Sequence, residues 1–187
     1  MQGGGRLLTY PDPELAGATV TLRRWRSTDL RCIEEASLDP RIPRGTTVPA
    51  HFTEAGGLAF VERQWGRQES GEGLSLAIAE ASSGDAVGAI VLIFREEPGS
   101  VGIGYWLIPR ARGRRLAVHA VGLLAPWALA QVGIDRIEAL ADADNIASRR
   151  VLVGNGFLQE SGLRRWAGGD GESELLLVYS RGPADTA

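Results

Sequence analysis

The sequence predicts a mixed α/β fold built as one domain. Its 187 residues are 44% hydrophobic and 23% charged, which suits a single soluble domain with a substantial core. The periodic patterns follow the order strand, two helices, three strands, helix, strand, helix and two strands. Three consecutive strands indicate antiparallel hairpins, and the strand–helix–strand unit at 101–141 indicates a right-handed parallel crossover. We therefore expect a mostly antiparallel central sheet of about seven strands with helices on both faces.

The elements of the first half follow from three local signals. Alternating apolar and polar residues mark strands. A serine, threonine or asparagine before an apolar face marks a helix start, and proline or glycine clusters mark breaks. The predicted elements are a flexible lead-in at 1–18, a strand at 19–25, a helix from Ser27 or Thr28 to about Ser37, a loop at 40–52 and a helix capped by Thr53 that runs to about Glu69.

The second half follows the same signals, with one interruption at Pro126, which removes a backbone donor inside a helix. We expect that helix to kink or to be two abutting helices. The predicted elements are strands at 74–80, 86–94 and 101–108, a helix at 114–132, a strand at 134–141, a short helix from Asn145 or Ser148 to about Gly156, strands at 157–166 and 173–180 around a glycine turn at 168–171, and a tail at 182–187.

The composition argues against several classes of function. The 20 basic residues, all arginine, and 23 acidic residues give a net charge of −3, so the overall charge favours neither nucleic acid nor an anionic membrane as partner. Cys32, the one cysteine, has apolar neighbours at helical spacing and is expected in the core. Two isolated histidines do not make a metal site. No apolar run reaches the ~18 residues of a membrane span, and a signal-peptide core is missing. We therefore expect a cytoplasmic protein without a metal ion.

An arginine-rich turn at 110–117 predicts an anion site. The strand ending at Ile108 stops at a proline, and four arginines around Gly113 then precede a helix. The first turn of a helix presents free backbone N–H groups and the positive end of the helix dipole. Such a helix start binds phosphate readily. By itself the turn is equally well explained as a basic surface turn that starts a helix.

A second motif, about thirty residues downstream, makes the combination more specific. Residues 142–152 place Asn145 and Ser148 at the start of a short helix that ends at Gly156-Phe157. Together with Leu22-Arg23-Arg24-Trp25, Asp29, Val87-Gly88 and Gly104-Tyr105-Trp106-Leu107, these motifs follow an order that resembles the GNAT superfamily of N-acetyltransferases. The chain is most similar to the Rim-type branch, which acetylates the N-termini of ribosomal proteins, and the resemblance covers nearly the whole chain.

The resemblance implies a single GNAT-like domain at 19–181 that transfers an acetyl group from acetyl-CoA to a primary amine by direct attack in a ternary complex. The strands at 101–108 and 134–141 would splay apart and admit the pantetheine arm. The implied cofactor-binding residues are Leu107 and Ile108 for pantetheine, Arg112, Gly113, Arg114, Arg115, Leu116 and Ala117 for the pyrophosphate, and Asn145, Ser148 and Arg150 on the following helix.

The same resemblance suggests catalytic roles. Ser148 would protonate the departing thiolate, and the backbone N–H of Leu107 would stabilise the oxyanion. Glu160 follows Gly156-Phe157, where the family often has an acid, and is a candidate base; a water relay would need no unique base. His51 lies in the loop expected over the acceptor. Further carboxylates near strand ends are Glu96, Glu97, Glu138, Asp142, Glu172 and Glu174.

Two departures from the family pattern leave a second interpretation open. Arg115 stands where the family commonly has glycine, and Leu152 stands where many members have a tyrosine that protonates the thiolate. A catalytically inactive CoA-binding or acyl-CoA-binding domain is therefore the alternative. The acceptor, a protein N-terminus or a small-molecule amine, is not readable from the sequence, and the resemblance is compatible with a homodimer.

Overall fold

The computed structural model describes residues 8–167 and 173–183 and has an eight-stranded sheet at its centre. The expectations for the glycine turn at 168–171 and for residues 184–187 of the tail fall outside the described residues. The strands are β1 (Leu15–Ala16), β2 (Val20–Arg23), β3 (Gly73–Glu80), β4 (Ala86–Phe94), β5 (Ser100–Leu107), β6 (Arg136–Ala141), β7 (Leu158–Ala167) and β8 (Ser173–Arg181). The helices are α1 (Leu30–Ser37), α2 (Arg41–Gly45), α3 (Glu54–Glu69), α4 (Leu116–Leu129) and α5 (Ile146–Val153), with a 3-10 turn at Pro109–Ala111.

The strand order is β1-β2-β3-β4-β5-β6-β8-β7. Strands β5 and β6 pair in parallel, and every other neighbouring pair among the described strands is antiparallel. Helix α4 connects the parallel pair, which confirms the crossover expected at 101–141. The mixed α/β fold with one parallel pair is therefore confirmed.

Helices cover both faces of the sheet. The ring centroids of Trp106 on β5 and Trp25 are 6.3 Å apart. Trp25 in turn packs edge-on against Phe60 of α3. Tyr105, the neighbouring residue on the same strand, bonds to Ser148 on α5. Because neighbouring side chains of a strand point to opposite faces, α3 and α5 lie on opposite sides, called here the α3 face and the α5 face.

Four local predictions are corrected. The lead-in contains β1, and Leu8 is buried in the core, because apolar side chains there reach the sheet edge. The predicted loop at 40–52 begins with the short helix α2. Helix α1 starts at Leu30, not after Ser27 or Thr28, since the Asp29 carboxylate accepts from the Arg26 N–H at 2.8 Å. The helix predicted at 114–132 is α4, one helix that includes Pro126, so the alternative of two abutting helices is wrong.

A buried ion pair joins β2 to the start of α1. Two nitrogens of the Arg23 guanidinium donate to the two carboxylate oxygens of Asp29 at 2.9 and 2.8 Å, and their side chains are 3% and 6% exposed. Bidentate geometry of this kind is what a buried pair needs to offset its desolvation. It fixes the chain where the sheet leads into the first helix.

Candidate active site

The parallel pair β5–β6 separates before either strand ends. Its register runs from Ser100 opposite Arg136 to Ile103 opposite Ala139. Beyond that point β5 continues to Leu107 and β6 to Ala141 without pairing to each other. The last four residues of β5 therefore present one edge of backbone to a gap in the sheet, and the gap lies where the resemblance expects the pantetheine arm.

The direction of the backbone groups on β5 follows from its pairing with β4. The Ile108 N–H donates to the Val87 carbonyl at 3.0 Å, on the β4 side. Because backbone groups alternate in direction along an antiparallel strand, the N–H groups of Tyr105 and Leu107 point towards the gap. The Ile108 carbonyl accepts from Ala111, so both backbone groups of Ile108 are engaged. Ile108 therefore has no free backbone group that faces the gap, whereas the N–H groups of Tyr105 and Leu107 face it.

A cavity of about 550 Å³ opens from this gap to both sides of the sheet. On the α5 face it is lined by Asn145, Ser148 and Leu152. Gly102 and Gly104 of β5, which share the face of Trp106, line it on the α3 face. On the α3 face it is lined by Thr46, Thr47, Phe60, Gln64, Trp166 and Glu174. A channel of this shape allows two reactants to approach one point from opposite faces.

Backbone N–H groups at the start of α4 lie where the sequence predicts an anion site. Gly113 and Arg115 both have positive φ, 75° and 59°, and the first bond of the helix runs from the His119 N–H to the Arg115 carbonyl at 3.1 Å. The N–H groups of residues 116–118 thus lie in the first turn, where a helix offers donors without intrahelical partners. A Cβ added at Gly113 would have open space around it, so the turn is uncrowded on that side.

Most of the arginines around this turn are engaged within the protein. Arg110 donates to Glu35 at 2.7 Å, Arg112 pairs with Asp39 at 2.6 Å, and Arg114 pairs with Glu80. Arg112 also donates through Nε to the Leu107 carbonyl at 3.0 Å. These pairs hold the turn against α1, β3 and the end of β5. The expectation that Arg112 and Arg114 contact phosphate is thereby weakened, since each already has a carboxylate partner.

Arg115 differs from its three neighbours. Its side chain is exposed, and within the described part of the chain it has no side-chain hydrogen bond or ion pair. Its left-handed backbone is the conformation that glycine adopts without cost, which agrees with the family's common glycine at this position. The side chain leaves the helix start towards solvent, so its guanidinium is available to an anion bound there.

The start of α5 joins the gap through Ser148. The Asn145 side chain caps the helix by accepting from the Ser148 N–H at 3.1 Å. The Tyr105 hydroxyl lies 2.9 Å from Ser148 Oγ and 3.2 Å from the Ser148 carbonyl oxygen, so it is within donating distance of both. Burial raises the pKa of Tyr105 to about 12, against the opposing hydrogen bond from Ser148. The resemblance did not single out the Tyr105 side chain; strand alternation could have placed it on the α5 face.

The candidate base Glu160 lies outside the cavity lining. Its carboxylate accepts from Ser180 Oγ at 2.6 Å and from Arg136, and these two bonds lower its pKa. Glu138 is 2% exposed, and although burial raises its pKa, bonds from Arg164 and Arg136 lower it below the ordinary value. Low pKa values disfavour both as bases. Asp142 and Glu174 do line the cavity, and Glu174 accepts from Arg44 at 2.6 Å.

Three other predicted residues have simpler surroundings. His51 is exposed and does not line the cavity, so its expected contact with the acceptor is unsupported. Arg150 is exposed in the last turn of α5, within reach of solvent. Cys32 is 2% exposed in the core, as expected, and burial raises the pKa of its thiol, which makes it unreactive.

In the described residues, no group of three or more His, Cys, Asp or Glu side chains is arranged to hold a metal ion. Likewise, none of the helices formed by these residues combines the length and the apolar character needed to cross a bilayer.

Comparisons with known proteins agree with this geometry. A curated relative, the uncharacterized N-acetyltransferase YoaA of Bacillus subtilis (strain 168), is 32% identical over 78 residues, which make up 42% of this chain and 44% of the relative. The alignment thus spans less than half of that protein, and its activity is not transferred to this chain by the match.

Two solved structures share the fold. RimJ of Mycobacterium smegmatis, in complex with CoA-disulfide, is 22% identical, with a TM-score of 0.76 over 89% of this chain and 83% of that one. The microcin C7 self-immunity acetyltransferase MccE, in complex with acetyl-CoA and AMP, is 20% identical, with a TM-score of 0.75 over 89% of this chain and 93% of that one. Residues 19–158 match the family model described as an acetyltransferase (GNAT) domain. The chain therefore belongs to the GNAT acetyltransferase family.

Proposed function

We propose that the protein transfers an acetyl group from acetyl-CoA to a primary amine by direct attack in a ternary complex. The observation that carries this proposal is the gap between β5 and β6, which opens into a cavity that reaches both faces of the sheet. The thioester would come from the α5 face and the amine from the α3 face. The complexes of MccE with acetyl-CoA and of RimJ with CoA-disulfide support the same donor here.

The helix start and the gap would hold the donor. The N–H groups of Gly113 to Ala117 would bind the pyrophosphate, and Arg115 would add a charge-assisted contact. Arg112 and Arg114 would act indirectly, because their pairs with Asp39 and Glu80 fix the turn. The N–H groups of Tyr105 and Leu107 would pair with pantetheine or its acetyl oxygen, since both point into the gap. Arg150 stays a candidate for an outer phosphate contact.

The chemistry requires a neutral amine, an oxyanion donor and a proton for sulfur. The Leu107 N–H would donate to the oxyanion, and Ser148, which lines the cavity, would give the proton to sulfur. Asp142 and Glu174 are the carboxylates in the cavity lining, so they replace Glu160 as groups that could accept the amine proton directly or through water.

The acceptor is proposed only as a class. Both a protein N-terminus and a small amine fit the α3-face opening, where Trp166 gives an apolar wall and Glu174 gives a negative charge. The homodimer and the cytoplasmic location stay predictions from the resemblance and the sequence.

The test is to mix the protein with acetyl-CoA and a panel of amines, including peptides with free N-termini and polyamines, and to follow release of free thiol. We expect turnover with at least one class and binding of CoA in calorimetry. CoA binding without turnover on any amine would favour the inactive CoA-binding domain, for which the buried Leu152, 0% exposed where a tyrosine is common, is the specific observation. Absence of CoA binding would refute both functions.

A further inference from the structure

Tyr105 and Ser148 form a pair of hydroxyl groups between the gap and α5. They come from elements 43 residues apart in sequence, and their oxygens are 2.9 Å apart. Both side chains line the cavity. The pair therefore lies where the sulfur of a thioester held in the gap would be released.

The phenol in this part of the cavity belongs to β5, and α5 has no tyrosine at the position where the family often has one. The position on α5 seven residues after Asn145 is Leu152, a fully buried aliphatic side chain that also borders the cavity. Tyr105 reaches the same part of the cavity from the opposite wall, and it contacts Ser148 through both the hydroxyl and the carbonyl. The hydroxyl groups are thus coupled by direct contact.

The direction of the hydrogen bonds decides what Ser148 can do. A phenol has one proton to donate. Of its two acceptors on Ser148, the phenol lies closer to Oγ, at 2.9 Å, than to the carbonyl oxygen, at 3.2 Å. When the phenol proton goes to Oγ, the Ser148 proton is free to point into the cavity. Without the phenol, the Ser148 hydroxyl has no other side-chain partner among the described residues, so it is free to rotate away from the cavity. Tyr105 therefore selects the orientation in which Ser148 can donate to a ligand.

We propose that Tyr105 is a positioning residue for acetyl transfer, whose phenol donates to Ser148 Oγ and so directs the Ser148 hydroxyl at the departing sulfur. This inference rests on the proposed function. The nitrogen–carbon bond forms and the carbon–sulfur bond breaks; the electron pair of the broken bond stays on sulfur, and the proton shed by the nitrogen balances the one that sulfur finally gains.

Tyr105 acts by donating a hydrogen bond and keeps its own proton. A free thiol titrates near 8.5, whereas burial raises the pKa of Tyr105 to about 12. A thiolate would not remove the phenol proton. It is stabilised by a hydrogen bond from the serine hydroxyl, and that bond is stronger because the serine oxygen itself accepts a hydrogen bond from the phenol. The pair therefore stabilises negative charge on sulfur as it develops.

The experiment compares Tyr105→Phe, Ser148→Ala and the double variant in steady-state kinetics. Phenylalanine keeps the ring and its packing. We expect kcat to fall about tenfold in Tyr105→Phe, the scale of one hydrogen bond, with unchanged KM for acetyl-CoA and unchanged Tm. The double variant should be no slower than Ser148→Ala, because the phenol acts through the serine. Tyr179→Phe is the matched control: it loses bonds to Gln159 and Arg149 outside the cavity lining and should keep kcat.

A second readout does not depend on turnover. The ultraviolet absorbance of the thiolate gives the pKa of the thiol of bound CoA, which should be higher in Tyr105→Phe and Ser148→Ala than in the unsubstituted protein and in Tyr179→Phe. An unchanged thiol pKa in Tyr105→Phe, or kinetic losses that multiply in the double variant, would overturn the inference. A shifted thiol pKa in a protein that acetylates no amine would support the pair and refute the proposed function.

Discussion

Replacing Arg115 by alanine or glycine separates its two properties, its free guanidinium and its left-handed backbone. Both variants remove the proposed contact with phosphate, for which a partly exposed charge-assisted bond is worth about 1–2 kcal/mol. Because 1.4 kcal/mol corresponds to tenfold in affinity, Kd for CoA should rise roughly 5- to 30-fold in both variants. The backbone contribution affects only the stability of the fold.

The left-handed conformation at φ 59° costs an ordinary residue about 1–2 kcal/mol. Arg115→Ala keeps that cost. Arg115→Gly removes it but adds about 0.5–1 kcal/mol of backbone entropy, so its free energy of unfolding should be up to about 1.5 kcal/mol above that of Arg115→Ala. Urea unfolding measures this difference.

Calorimetric titration with CoA and with pantetheine, which lacks the phosphates, is the assay for binding. The loss of affinity in the Arg115 variants should appear with CoA and shrink at high salt. It should be absent with pantetheine. Arg31→Ala is the matched control, since Arg31 is a highly exposed arginine on α1, with a side chain 82% exposed. Equal CoA affinity in Arg115→Ala and the unsubstituted protein would refute the assignment of Arg115 to phosphate.

Two further predictions concern stability. Asp29→Asn leaves the buried Arg23 guanidinium without a carboxylate and should lower the free energy of unfolding, measured by urea titration, by about 3–5 kcal/mol. Glu35→Gln, at a more exposed pair, should lower it by less than about 1 kcal/mol. Equal losses in the two variants would contradict the role of the buried pair. Asp39 has its pKa lowered from 3.8 to about 2, since bonds from Arg41 and Arg112 outweigh its burial. The Asp39 carboxylate therefore stabilises the fold fully above its unfolded-state pKa, and this contribution is lost as pH falls from 3.8 to about 2. Urea unfolding at several acidic pH values should show a smaller loss of stability over this range in Arg112→Ala. An identical pH dependence in the two proteins would contradict the pairing of Arg112 with Asp39.

Backbone features of the site could be predicted from sequence because they depend on local signals. Glycine and proline around 109–113 ended a strand and opened a turn, and Asn145 capped a helix as its residue type favours. The prediction that Ile108 contacts pantetheine overlooked strand alternation: the N–H groups of Tyr105 and Leu107 point to one edge of β5, and that of Ile108 points to the other. The alternation of backbone bonds along a strand could have excluded it.

Side-chain partners could not be predicted in the same way. Arg112 and Arg114 bond to Asp39 and Glu80, which lie far away in the chain and meet them only after the sheet forms. Glu160 was placed by its distance from Gly156-Phe157, yet its contacts with Arg136 and Ser180 depend on the pairing of three strands. Such contacts are tertiary, and residue spacing alone does not specify them.

The central claim is that the gap between β5 and β6 holds the acetyl donor. A crystal structure of the protein with acetyl-CoA tests it most directly. We predict the pyrophosphate on the backbone N–H groups of 113–117, the pantetheine arm between Gly104–Leu107 and the end of β6, and the thioester within reach of Ser148. A donor bound elsewhere on the protein, with the gap closed or filled by side chains, would contradict the account.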